Sequence, residues 1–218
     1  MRPVKRGKWP TNELGYIKQS VDYRDFLPDL KANFGHYCSY CECRARSFDI
    51  EHVIPKSTNP QKLEYNWYNL LLSCPKCNRD YKKDWNPSRR GYVWPDMHDT
   101  FDIYEYHCDG SMSVNSSVSP YVQIMAQNTI NLMHLNSENS SDDELVDMRA
   151  EIWETANEDL EDYNIGRKLP DQVAKHATKT GYWSVWMTVF KDHPEVTQKI
   201  ADAFPGTLAK YCSPPANP

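Results

Sequence analysis

The chain has 218 residues and a net charge of -5, from 25 Lys+Arg against 30 Asp+Glu. That length suits one well-packed domain, or a small domain with a second lobe docked on it. No apolar run reaches spanning length and no apolar segment follows the basic start, so neither a membrane role nor a secretory leader is expected, and the cytoplasm is the expected compartment.

Residues 1–20 are basic and broken by Pro3, Gly7, Pro10 and Gly15. They read as an extended arm laid on nucleic acid or on a partner, or as a frayed end. Tyr23, Phe26, Leu27 and Leu30 recur at spacings of three and four, which predicts a short helix over 21–34 closed by Gly35. A turn with Cys38-x-x-Cys41 follows. Alternation over 48–54 predicts a strand stopped by Pro55. Such a strand puts Asp49, Glu51 and Val53 on one face and Ile50, His52 and Ile54 on the other, so Glu51 and His52 reach one ion only at a bend or strand end. After a polar loop over 57–65, the run 69–73 leads into Cys74-x-x-Cys77, and Asn78 opens a short helix through Lys83 that Asn86-Pro87-Ser88 terminates.

At residue 96 the composition changes. Residues 1–95 hold 17 Lys+Arg and 10 Asp+Glu, whereas 96–218 hold 8 and 20, so +7 is followed by -12. This asymmetry predicts a phosphate-facing domain over 1–95 and an acidic, mostly helical, partner-binding lobe over 96–218. Within the second, Asp109-Gly110 turns a hairpin between strands at 101–106 and 111–114, and a helix follows over 120–135. Ser141-x-x-Glu144 is a capping box opening a helix to about residue 163, with Leu145, Met148, Ile152, Ala156 and Leu160 as its buried stripe. Ten acidic residues between Asp142 and Asp162 face one basic residue, Arg149. Helices around 171–180 and 182–204 and a Pro214-Pro215 tail complete the chain.

Seven cysteines in a reducing compartment point to metal ligation before disulfides. Cys38, Cys41, Cys74 and Cys77 form two pairs with two residues inside each and 32 between them. Tight Cys-x-x-Cys turns suit a tetrahedral structural zinc, with Cys43 and His36 as substitutes. Four thiolates leave no open position on that zinc, so chemistry has to lie elsewhere, at His52. Phosphodiester hydrolysis needs a base with a pKa near working pH, and a cation held by hard oxygen ligands. Glu51-His52, Asn69 and Asn78 offer that set.

Ile-Glu-His-Val-Ile-Pro-Lys-Ser (50–57), Tyr-Asn-Leu-Leu-Leu-Ser-Cys (68–74) and Cys-Asn-Arg (77–79), framed by the cysteine pairs, resemble the HNH endonucleases of the ββα-metal class over residues 36–84. The resemblance implies an α+β fold: a ββα-metal core braced by a four-cysteine zinc clamp, followed by a β-hairpin and a mostly helical C-terminal lobe. It implies His52 as general base, Asn69 as a brace of the loop through backbone hydrogen bonds, and Glu51 and Asn78 as ligands of the catalytic metal, with Asp49 in reserve. Glu51 stands where Asp is frequent, and Asn78 replaces the motif's last histidine, which favours Mg²⁺ or Mn²⁺. Lys56, Arg79, Lys82 and Lys83 are the expected phosphate contacts, and a 5′-phosphate and 3′-hydroxyl the expected products.

The opening 1–7, the Asp109-Gly110 hairpin, Thr129-Ile130-Asn131-Leu132 and Phe204-Pro205-Gly206-Thr207 are similar to the HNH subunit of Septu-type antiphage systems, retron-associated members included. That likeness implies an ABC-type, PtuA-like ATPase as partner, joined in retron versions by a reverse transcriptase and its DNA–RNA product. The acidic helix is then a candidate docking surface. The competing expectation is a non-catalytic, zinc-stabilised nucleic-acid-binding or scaffold subunit.

Overall fold

A computed structural model of the chain describes residues 1–19, 22–58, 63–86, 88–136 and 144–213. Several sequence expectations lie outside them: the start of the first helix at residue 21, part of the polar loop at 59–62, Pro87, Ser141 of the capping box with Asp142 of the acidic run, and Pro214-Pro215.

A 3₁₀ turn, Tyr23–Phe26, runs into helix α1, Leu27–Phe34. Pro28 suits the first helical turn, and Gly35 at φ 74° closes it by donating to the Lys31 carbonyl. Leu30 and Phe34 are the buried face. Strand β1, Asp49–His52, pairs antiparallel with β2, Leu70–Ser73, setting Asp49 opposite Ser73 and His52 opposite Leu70. Every residue of β2 is buried, as its continuous apolar run demands. The segment Lys76–Lys82, α2, then winds as a π-helix, with the Lys83 N–H reaching back to the Asn78 carbonyl at 3.1 Å. Strand, strand and helix thus form the expected ββα unit.

A second antiparallel pair joins β3, Tyr104–Tyr106, to β4, Met112–Val114, around Gly110. The expected strand over 101–106 is shorter, because Thr100–Ile103 is a helical turn. There Phe101 packs edge-on against Trp183 at 5.1 Å, and this tertiary contact overrides the local alternation. Helix α3, Pro120–Leu132, is capped by Ser119, and α4 spans Leu145–Asn164. A Cβ on Gly110 would meet the Val146 carbonyl at 1.9 Å, so the hairpin turn must be glycine where α4 crosses it. The α4 stripe also differs from expectation. Met148 is exposed, while Arg149 and Asp159 join Ile152 and Ala156 in the interior. Both buried charges are held, Arg149 by the Gly110 carbonyl at 2.6 Å and Asp159 by His176 at 2.9 Å. Helices α5, Pro170–Thr180, α6, Trp183–Val189, and α7, Pro194–Ala203, complete the lobe.

The two halves interlock. Buried side chains from both form one cluster, and Cys43 pairs with Gly181 in an isolated bridge. The first residues of the basic start are anchored in the interior, with Arg2, Val4 and Arg6 buried, while Lys5, Lys8 and residues 11–17 stay on the surface. Arg2 donates to the carbonyls of Phe34 at 2.7 Å and Pro205 at 2.6 Å, and Val4 pairs with Thr207. A guanidinium carries five donors, so it can enter the interior wherever several backbone carbonyls converge. Among the described residues no helix is long and apolar enough to cross a membrane.

Candidate active site

The four cysteine sulfurs of Cys38, Cys41, Cys74 and Cys77 lie within 4.8 Å of one another, all buried. With Zn–S bonds near 2.3 Å, a tetrahedron has edges of about 3.8 Å. The Cys41 and Cys74 sulfurs are 3.8 Å apart. The donor set therefore fits a four-thiolate metal centre. His36 is exposed against Phe48, and Cys43 sits half-buried at the edge, so neither substitutes for a member of the set. The first knuckle is shaped by Glu42, whose φ of 66° reverses the chain after Cys41. That strained position is held from the other lobe: the Glu42 carboxylate accepts from the Ser184 N–H at 2.8 Å and hydroxyl at 2.7 Å.

His52, at the end of β1, is 8 % exposed. Its Nε2 lies 3.0 Å from the Glu64 carbonyl. A carbonyl only accepts, so Nε2 carries the hydrogen and Nδ1 keeps the lone pair. Burial pushes the imidazole pKa below its usual 6.5, with the Lys56 charge adding to the effect, so the ring stays neutral. The Tyr23 ring meets the imidazole edge-on at 4.7 Å. Asn69 hydrogen-bonds the backbone of the bend. Its Oδ1 accepts from the Ile54 N–H at 2.9 Å and its Nδ2 donates to the Ile54 carbonyl at 2.8 Å. This clasp fixes the bend immediately after His52.

The carboxylates of β1 face the helix, as strand alternation requires, but they divide the helix residues between them. Asp49 meets Asn78 at 3.1 Å and accepts two hydrogen bonds from Arg79, at 2.7 and 2.6 Å. Burial works against the Asp49 carboxylate, yet Arg79 and Asn78 outweigh it and hold its pKa below the usual range. Glu51, expected as first metal ligand, is 1 % exposed and is not brought to Asn78. It is paired with Lys82 at 2.6 Å and accepts from the Tyr40 hydroxyl at 3.1 Å. Burial pushes the Glu51 carboxyl up to about 7 against the pull of Lys82. Lys82, expected as a phosphate contact, is likewise corrected: it points inward, 1 % exposed, and donates to the His52 carbonyl at 2.9 Å. Lys56, Arg79 and Lys83 are exposed, Lys56 lying over the Tyr23 ring at 4.7 Å.

A hollow of about 300 Å³ opens between the first helix and the ββα unit, lined by Tyr23, Leu27, Asp49, Asn78 and Arg79 among others. Tyr23 borders both this hollow and the His52 ring, and so joins the two parts of the site. Mg²⁺ with ligands at about 2.1 Å spaces neighbouring oxygens by roughly 3 Å. Here Asn78 Nδ2 donates to Asp49 Oδ2 at 3.1 Å and Arg79 takes both carboxylate oxygens, so the amide has to turn over and Arg79 to yield before the two residues could offer oxygens to a hard divalent ion. The sequence read Tyr23 only as part of an apolar helix face and Asn86 only as a helix stop, and did not single out Tyr40; the Asn86 amide donates to the Val53 carbonyl at 2.6 Å. The one signal for Tyr40 was its place inside the first Cys-x-x-Cys.

Residues 38–84 match the HNH endonuclease family model. Two relatives are both described as Septu protein PtuB. The one from Bacillus thuringiensis is 32 % identical over 103 residues, covering 45 % of this chain and 36 % of its own length. The one from Bacillus mycoides is 38 % identical over 73 residues, covering 27 % and 25 %. The chain thus aligns with only about a third and a quarter of these relatives. With the ββα unit, the thiolate cluster and the Asn69 clasp, this identifies residues 38–84 as an HNH endonuclease domain within a chain similar to PtuB.

Proposed function

We propose that the protein is a metal-dependent HNH endonuclease that hydrolyses phosphodiester bonds in DNA or structured RNA. The observation that carries this reading is a tautomer-fixed His52 joined through Tyr23 to the hollow where the Asn78 amide donates to the Asp49 carboxylate, inside the segment that matches the family. His52 Nδ1 takes the proton of the attacking water, while the Glu64 carbonyl holds the ring in place through Nε2–H. Asn69 keeps the chain after His52 in its bend, and Lys82 grips the His52 carbonyl from beneath. Asp49 and Asn78 would hold Mg²⁺ or Mn²⁺, which would supply positive charge to the phosphate and the departing oxygen. Arg79, Lys56 and Lys83 meet phosphates. The four cysteines would hold a structural zinc that ties the loop before β1 to the start of the helix.

Similarity to PtuB supports a role as effector of a Septu-type antiphage complex with a PtuA-like ABC-type ATPase; a reverse transcriptase and its DNA–RNA product are the further members we propose for a retron setting. The acidic face of α4 is the docking surface we assign to such a partner. Charge reversal on α4 that leaves complex formation intact removes that assignment.

One observation favours the non-catalytic alternative. Asp49 and Glu51 are each already matched by a cation of the chain, Arg79 and Lys82. The two readings separate when purified protein, with and without its ATPase, is incubated with Mg²⁺, labelled DNA and total RNA. Cleavage by wild type that is lost in a folded His52→Ala variant supports the enzyme. Equal cutting by both removes the base assignment, and binding without cutting by wild type supports the scaffold.

A further inference from the structure

A second basic hollow, of about 750 Å³, lies on the β2 side of the domain, with Lys5, Lys8, Arg89, Tyr68, Asp96 and Met97 on its walls. Its floor is an ionic knot. The buried carboxylate of Asp96 accepts from Arg6 at 2.6 Å and from Arg89 at 2.8 and 3.0 Å. One carboxylate for two guanidiniums leaves a cationic floor, and the exposed Lys5 and Lys8 add to it. The spare donors of both arginines go to neighbouring backbone. Arg6 donates to the Trp67 carbonyl at 2.9 Å and Arg89 to the Tyr68 carbonyl at 2.7 Å. Tyr68 is therefore held rigidly by its main chain while its ring stays 55 % exposed, beside Met97, which is 60 % exposed. Trp9 supports the ring edge-on at 5.8 Å.

The geometry points to this hollow as a binding cleft for single-stranded nucleic acid, with Tyr68 stacking on an unpaired base and Lys5 and Lys8 on flanking phosphates. A rigid, exposed ring over a cationic floor is the pairing that binds single strands without reading sequence. A duplex keeps its base faces stacked and offers the ring nothing to stack on. The volume falls in the usual range for small-ligand sites, room for a nucleotide and its neighbouring phosphate. Tyr68 is two residues before Leu70, the cross-strand partner of His52. Tyr68 lies in the 3₁₀ turn Trp67–Asn69 that leads directly into β2, so the cleft adjoins the end of the sheet that carries His52. This assignment extends the nuclease reading by naming the form of its substrate, and it rests on that reading for its purpose but not for its measurement.

Binding is measured with the full-length His52→Ala protein without divalent ions, using fluorescein-labelled oligodeoxythymidine, oligouridine and a blunt DNA duplex. Tyr68→Ala is expected to weaken single-strand binding by about 5- to 100-fold, with little effect on duplex. A Lys5→Ala/Lys8→Ala pair is expected to lower the salt slope by about 1.4. The oligodeoxythymidine and oligouridine arms show which polymer the cleft prefers. Unchanged single-strand affinity and slope in these folded variants overturn the assignment. So does a Tyr68→Ala variant that loses only the ATPase, which would make the patch a protein-docking surface. Single-strand binding through Tyr68 without cleavage by wild type keeps the cleft and removes the nuclease. Cleavage by wild type with Tyr68→Ala binding unchanged does the reverse.

Discussion

Lys82 Nζ and Glu51 Oε1 lie 2.6 Å apart, and both side chains are 1 % exposed. Removing one member of a buried pair leaves the other charge uncompensated, at a cost of about 3–5 kcal/mol, whereas replacing both is far milder. Lys82→Met is therefore expected to destabilise the fold by about that amount in urea unfolding, and Glu51→Gln/Lys82→Met to recover much of it. A double variant no more stable than Lys82→Met would show that the ammonium acts chiefly through the His52 carbonyl.

Asn69→Ala removes both bonds to Ile54 and leaves a buried donor and acceptor unpaired. A loss of about 1–3 kcal/mol is expected. Because the bend after His52 relaxes, cleavage should fall more than stability explains, which single-turnover rates on folded protein will check.

Metal analysis of protein purified without chelator should return zinc at one ion per chain, and Cys41→Ser or a strong chelator should release it and unfold the domain. Loss of circular dichroism alongside zinc release is the expected readout. A fold that survives complete zinc removal would make the thiolate cluster dispensable.

Asp96 supplies a pH dependence. Burial raises its pKa, but Arg6 and Arg89 more than reverse this, so the folded value lies below the usual 3.8. A depressed carboxylate contributes stability that is fully present above pH 3.8 and is lost as pH falls through its folded pKa. Melting temperatures of wild type and Asp96→Asn should therefore differ most above that pH and converge in stronger acid.

Spacing alone was enough to read the thiolate clamp, because Cys-x-x-Cys turns admit few other uses in a reducing compartment. Alternation over 48–54 located β1 and correctly set Glu51 and His52 on opposite faces. The destination of Lys82 could not be read. A lysine beside Lys83 and Arg79 looks like a solvated face, and its inward course depends on a carboxylate 31 positions earlier and on π winding that shifts the helix phase. Arg2 and Arg6 misled for a related reason. Arg2 is held by the backbone carbonyls of Phe34 and Pro205, which leave no mark in a sequence, and Arg6 by the Trp67 carbonyl and by Asp96, 90 positions later.

The contacts of Arg2 and Val4 with residues 204–207 bear on how the molecule is made. A nascent chain leaves the ribosome with both halves of the thiolate clamp nearly 130 residues before Thr207 emerges. Zinc can be captured early, but the edge of the domain around Phe34 stays open until the far end of the acidic half arrives to cover it. Translation that stops short of Thr207 would thus yield a metal-loaded but unsealed polypeptide, exposed to proteases before it could cut anything.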